Sequence, residues 1–164
     1  MVKSKTIVSI ELDDGGLPPL TPEIEQERRL AIFDLLEENR FELADPSKVS
    51  KIYKGPIALN VNSQGNRLIL SLRDPKTSEK IFDFILSTNP FRKVIREYSE
   101  ICASYFDAVK RLPPSKIEAI DMARRGVHNQ GAEVLLERLD GKIDTDRATA
   151  KRLFTLIYVL QLRE

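Results

Sequence analysis

The stretch "NPFRKVIREYSEICASYFDAVKRL" (residues 89–112) decides the fold class, because the apolar pattern of the chain changes period there. Phe91, Val94, Ile95, Tyr98, Ile101, Cys102, Tyr105, Phe106, Val109 and Leu112 recur three and four apart, which predicts an amphipathic helix of about six turns. Asn89 and Pro90 read as its N-cap and first residue. Cys102 falls on the apolar stripe, as expected of a small buried hydrophobe rather than a reactive thiol.

Upstream, the period is mostly two. "KTIVSIEL" (5–12) alternates and is β-branched, and it stops at "DDGG", so a strand and a turn are expected. "PIALNVNSQGNRLILSLRD" (56–74) reads as a hairpin around "NSQGN". "EKIFDFILS" (79–87) adds a further strand, with a helix as the alternative. Between the first strand and the hairpin lies one helix: Thr21 caps it, Pro22 opens it, and Ile24, Ala31, Ile32, Leu35 and Leu36 form its stripe up to about Asn39. Residues 44–55, "ADPSKVSKIYKG", read as a loop.

Downstream of residue 112, helices continue. Ser115 and Glu118 have capping-box spacing, Ala132, Leu135, Leu136 and Leu139 mark a short helix closed by Gly141, and Asp146 caps a last one bearing Ala150, Leu153, Phe154, Ile157 and Leu160. The expected fold is therefore α+β: about four antiparallel strands packed on the long amphipathic helix, a helical C-terminal part, and one domain over residues 1–164.

Composition narrows the function classes. With 41% hydrophobic and 31% charged residues among 164, and no Trp, the chain reads as a globular protein with an aliphatic core. One Cys excludes an internal disulfide framework and a cysteine-rich zinc site, and one His argues against a transition-metal centre, so neither metal nor cofactor is expected. The start "MVKSKTIVSIELDD" lacks the apolar segment of a secretory leader, and no apolar run approaches the roughly 20 residues of a membrane span; a cytoplasmic protein without membrane association is expected. Residues 1–45 hold 5 basic and 11 acidic side chains and the remainder 21 and 14, so the net charges are −6 and +7. The +7 portion suits an anionic partner, although a pI near 7.8 is mild for a nucleic-acid binder.

Functional residue types concentrate in "AIDMARRGVHNQGAE" (119–133). If a helix runs through Gly126, then Glu118, Asp121, Arg125 and His128 share an arc of about 80°, and Asp121 can pair with Arg125 or orient the His128 imidazole. If Gly126 instead caps the helix, Arg124 and Arg125 occupy its last turn and Asn129 caps the next one. Free amides near Gly131, beside Arg124, Arg125, His128 and Asn129, would then form an anion site. The binding expectation is a protein partner or small anionic ligand on these residues, with Arg147, Lys151 and Arg152 as a second partner surface. A hydrolase or transferase would use His128 as base and Asp121 to orient it, but shows no nucleophile. An RNA partner would lack aromatics interleaved with the basic residues. No Walker-type or GxGxxG phosphate loop is present.

Residues 22–39, 86–108, 117–143 and 149–160 together resemble the alphaproteobacterial family catalogued as uncharacterised protein family 0262. The resemblance spans nearly the whole chain, is most specific at 117–143, and implies a bacterial cytoplasmic protein. Within that segment the family usually has Gly where this chain has Ala123, and Glu where it has Gln130; Arg124, Arg125, His128 and Asn129 match. Ala123 points to a helical position, and Gln130 removes a carboxylate beside His128.

Overall fold

A computed structural model describes residues 6–13, 20–44 and 55–162. Most of the turn expected at "DDGG" and of the loop expected at 44–55 lies outside these residues. The architecture is α+β; among the described residues there are six strands, β1 (Ile7–Asp13), β2 (Phe41–Leu43), β3 (Ile57–Gln64), β4 (Arg67–Arg73), β5 (Lys80–Ser87) and β6 (Ile143–Thr145), and four helices, α1 (Pro22–Glu37), α2 (Arg92–Arg111), α3 (Pro114–Leu139) and α4 (Arg147–Leu162).

The main sheet has the order β1-β3-β4-β5. β3 and β4 form the expected hairpin, its turn carrying Gly65 at φ 60°, and β5 pairs antiparallel with β4. β1 departs from the expected all-antiparallel arrangement: it pairs parallel with β3, Ile10 opposite Leu59 and Leu12 opposite Val61. A parallel pair needs a crossover rather than a hairpin, and α1 lies within that crossover. β2 and β6, three residues each, make a separate antiparallel pair.

At the start of α1, Thr21 Oγ1 accepts the Ile24 amide at 3.3 Å, with Pro22 in the first turn, as expected. Asn39 follows the helix and is buried. Its Nδ2 donates to Ile7 O at 2.9 Å and Leu35 O at 2.7 Å, while Oδ1 accepts the amides of Thr6 and Ile7 at 2.9 and 2.8 Å. One side chain thus satisfies four backbone groups where α1 meets β1.

α2 follows most of its predicted stripe, with Val94, Tyr98 and Cys102 buried, but Val109 near its end is 52% exposed. A 3-10 turn over Asn89–Phe91 precedes it, and Asn89 makes no side-chain cap: its amide donates instead to Ser87 Oγ at 3.2 Å. α3 corrects the expected helix break. It runs unbroken from Pro114 to Leu139 through both glycines, so Gly126 is not a cap, Asn129 caps nothing, and residues 132–139 are not a separate helix. Ser115 is not the cap either, since Pro113 occupies that position without a side-chain bond. Gly131 has a packing reason: a Cβ there would come within 2.3 to 2.5 Å of the Phe154 ring on α4.

Asp146 Oδ1 accepts the Thr149 amide at 2.7 Å and starts α4 as predicted. From Leu153 to Leu160 every residue of α4 is buried, because α1, α3 and β3 all pack against it. The β2–β6 pair, with Arg40 bound to Asp144 at 2.6 Å and the Arg40 amide to Thr149 Oγ1 at 3.0 Å, joins the end of α1 to the start of α4. Lys151 and Arg152 are thereby set beside α1. No helix among the described residues is long and apolar enough to cross a membrane.

Candidate functional site

The continuous helix produces the arc expected of Asp121, Arg125 and His128, but the contacts differ from those anticipated. Asp121 faces arginines: Oδ1 accepts from Arg124 at 2.6 Å and Oδ2 from Arg125 at 2.9 Å. It does not orient His128. Arg124 also reaches Glu27 on α1 at 3.3 Å, and its guanidinium lies 4.1 Å from the centre of the Tyr105 ring. Burial works against its charge, but the hydrogen bond and charge of Asp121, with those of Tyr98 and Glu27, outweigh it and raise its pKa. Arg124 thus joins three helices. Arg125 is different: its side chain is 74% exposed.

His128 Nε2 lies 2.8 Å from Thr155 Oγ1 on α4. Its ring stands 5.3 Å from Tyr98 and 5.4 Å from Phe154, both tilted or edge-on. Burial, then the positive charges of Lys151 and Arg124, push its pKa down to about 4. The imidazole is neutral at pH 7, so it is a weak base there. Cys102, on α2, is buried and its thiol is pushed up to about 11 by burial and the charge of Glu27, in keeping with an inert packing role.

Two surface openings meet at this ring, sharing Tyr98, His128 and Lys151. The smaller, about 170 Å3, adds Arg124 and Arg125; the larger, about 260 Å3, lies between α1 and α4 and adds Leu30, Ala31, Asp34 and Arg152. Glu27 stands in its wall with Oε2 buried and without a hydrogen-bond partner, and burial raises its pKa.

The free-amide site expected near Gly131 does not form. That residue is buried inside α3 beneath Phe154, where its amide belongs to the helical ladder. Asn129 is half-buried in the same helix. The three basic residues of α4 part company: Arg147 pairs with Glu133 on α3, Arg152 donates to Glu38 O at 3.4 Å, and Lys151 alone of the three lines both openings. Tyr98 is legible only as part of the α2 stripe, Glu27 only as an acidic residue in the first turns of α1, and Thr155 lies outside the apolar stripe of α4, so no local pattern marks them as site residues. No group of three or more His, Cys, Asp or Glu among the described residues is placed to hold a metal ion.

Residues 4–163 match the model of the Uncharacterised protein family (UPF0262). The chain is 54% identical to a UPF0262 protein of Dinoroseobacter shibae and 56% identical to one of Roseobacter denitrificans, covering 94% of this chain and 96% of each relative. A UPF0262 protein of Ruegeria pomeroyi is 56% identical, with 94% of each chain covered. No solved structure matches. The chain belongs to the UPF0262 family of alphaproteobacteria.

Proposed function

We propose that this is a cytoplasmic binding protein rather than an enzyme, and that it receives an anionic group, from a small ligand or a protein partner, between α3 and α4 beside His128. The observation that carries this is Lys151. It faces both openings and has no carboxylate within ion-pair distance among the described residues, while Arg124 and Arg125 stand across the smaller one. Arg124 and Arg125 are partly neutralised by Asp121 and Glu27, so Lys151 is the uncompensated cation; after burial, its charge and that of Arg124 are what lower the His128 pKa. His128, neutral and held through Nε2 by Thr155 Oγ1, lines the openings without adding charge.

Catalysis has less support. His128 has no carboxylate to orient it, and Thr155, the hydroxyl beside it, is 8% exposed on a packed helix.

Because the chain has one histidine, its ring signals in an NMR spectrum are unambiguous. Titration with sodium acetate or phosphate at constant ionic strength is expected to shift them saturably, and Lys151→Met is expected to abolish the shift. Flat titrations with both salts would overturn the proposal.

A further inference from the structure

The two openings beside His128 are chemically unlike yet continuous through Tyr98, His128 and Lys151. The smaller is bounded by Arg124, Arg125 and Lys151. The larger is walled mainly by apolar groups, among them Leu30, Ala31 and Ala148. Leu30 is 58% exposed and lines this wall, so it offers aliphatic surface to whatever enters the opening.

Charge separates them further. On the α1 wall of the larger opening stand Glu27 and Asp34, which oppose a second negative charge there, while its cations, Lys151 and Arg152, come from α4. An anion is favoured at the α3–α4 side and an uncharged group along α1. Size sets a further bound: about 260 Å3 lies just under the roughly 300–1,000 Å3 usual for ligand pockets. At ~30 Å3 per water-sized unit, and with an open mouth, it accommodates a chain of about four to eight carbons.

We infer that the ligand is a monoanion with a short aliphatic tail, its carboxylate between Lys151 and Arg125 and its tail along Leu30 and Ala31. This rests on the anion-binding proposal above and names the class of molecule for the same site. The tail supplies affinity by leaving water, and the cations fix its direction.

The test is calorimetric titration of the full chain with acetate, butanoate, hexanoate and succinate at fixed ionic strength. Affinity is expected to rise about 3- to 4-fold per added methylene from acetate to hexanoate. Succinate is expected to bind no better than acetate. Leu30→Ser, a change at an exposed position, is expected to flatten the chain-length series, and Lys151→Met to remove binding of every member. Equal affinity for acetate and hexanoate, a preference for succinate, or an unchanged series in Leu30→Ser overturns the tail and leaves the anion site standing. Silence of all four carboxylates, with phosphate also silent in the NMR titration, removes both. Sedimentation with phosphatidylglycerol vesicles without hexanoate binding also overturns the tail, by assigning the contact to a bilayer.

Discussion

The two halves of α3 are held in place by different physics. Its C-terminal half buries Gly131, Ala132, Leu135 and Leu139 against α4, and Gly131 allows the Phe154 ring to lie directly on the helix backbone. Its N-terminal half has no fully buried residue, exposes Met122 to 65%, and is tied through Arg124 to Glu27 and Tyr105, while His128, just past the midpoint, is tied to Thr155. Close-packed surface resists change of shape, whereas polar ties across a gap leave room beside them. The openings lie where the packing changes from one kind to the other, so the candidate site follows from this division of the helix.

The same substitution at the two glycines gives the sharpest break between the halves. Gly131→Ala is expected to destabilise by about 2 kcal/mol, since the Cβ must displace a fully buried ring, whereas Gly126→Ala, with nothing within 4 Å, is expected to stabilise by about 1 kcal/mol. Urea unfolding of both variants measures the difference, and equal effects would show that α3 is uniformly packed.

Next in size is the contrast between the adjacent arginines. Arg124→Ala leaves Glu27 half-buried without a cation and removes the Tyr105 contact, for an expected loss of about 2 kcal/mol. Arg125→Ala breaks only an exposed pair with Asp121 and should change stability by less than about 0.5 kcal/mol while weakening anion binding. Parallel melting curves and acetate titrations would separate a structural arginine from a binding one.

The smallest effect is expected from pH. His128 has a folded pKa of about 4 against 6.5 when unfolded, so the unfolded chain binds the extra proton between those values. Its contribution to stability is complete above pH 6.5 and is lost as pH falls toward 4, with about 1 kcal/mol of the decline falling in the first unit, between pH 6.5 and 5.5. Glu27, raised by burial, works with the opposite sign, favouring the folded state at acid pH. His128→Gln should therefore remove the decline between pH 6.5 and 5, as followed by denaturant midpoints; an unchanged slope would place its cause elsewhere.

Local signals were legible where local physics decides. The stripe of α2, the Thr21 and Asp146 caps and the β3–β4 hairpin all follow from neighbours a few residues apart. Signals failed where distant partners decide. Gly126 and Gly131 have the composition of a helix end, yet Phe154, far along the chain, needs the second of them within a helix. The parallel placement of β1 depends on β3, and three-residue strands such as β2 and β6 are too short to show a period. Of the candidate site, Arg124, Arg125, His128 and Lys151 were legible as residue types that favour anions. Thr155 and Leu30, on which the geometry equally depends, carry no signal apart from their neighbours in space.

The parallel edge of the sheet also bears on the order of assembly during translation. β1 emerges from the ribosome early, but among the described strands its hydrogen-bonding partner is β3, which begins at Ile57. Until then its backbone groups are unpaired, an exposure that slows folding and invites wrong pairing. Asn39 precedes β3 in the chain and, in the folded protein, binds backbone groups at the start of β1. The side-chain amide that follows one helix thereby serves as a lasting neighbour of β1, holding Ile7 N and O while the Ile57 amide of β3 donates to Thr6 O.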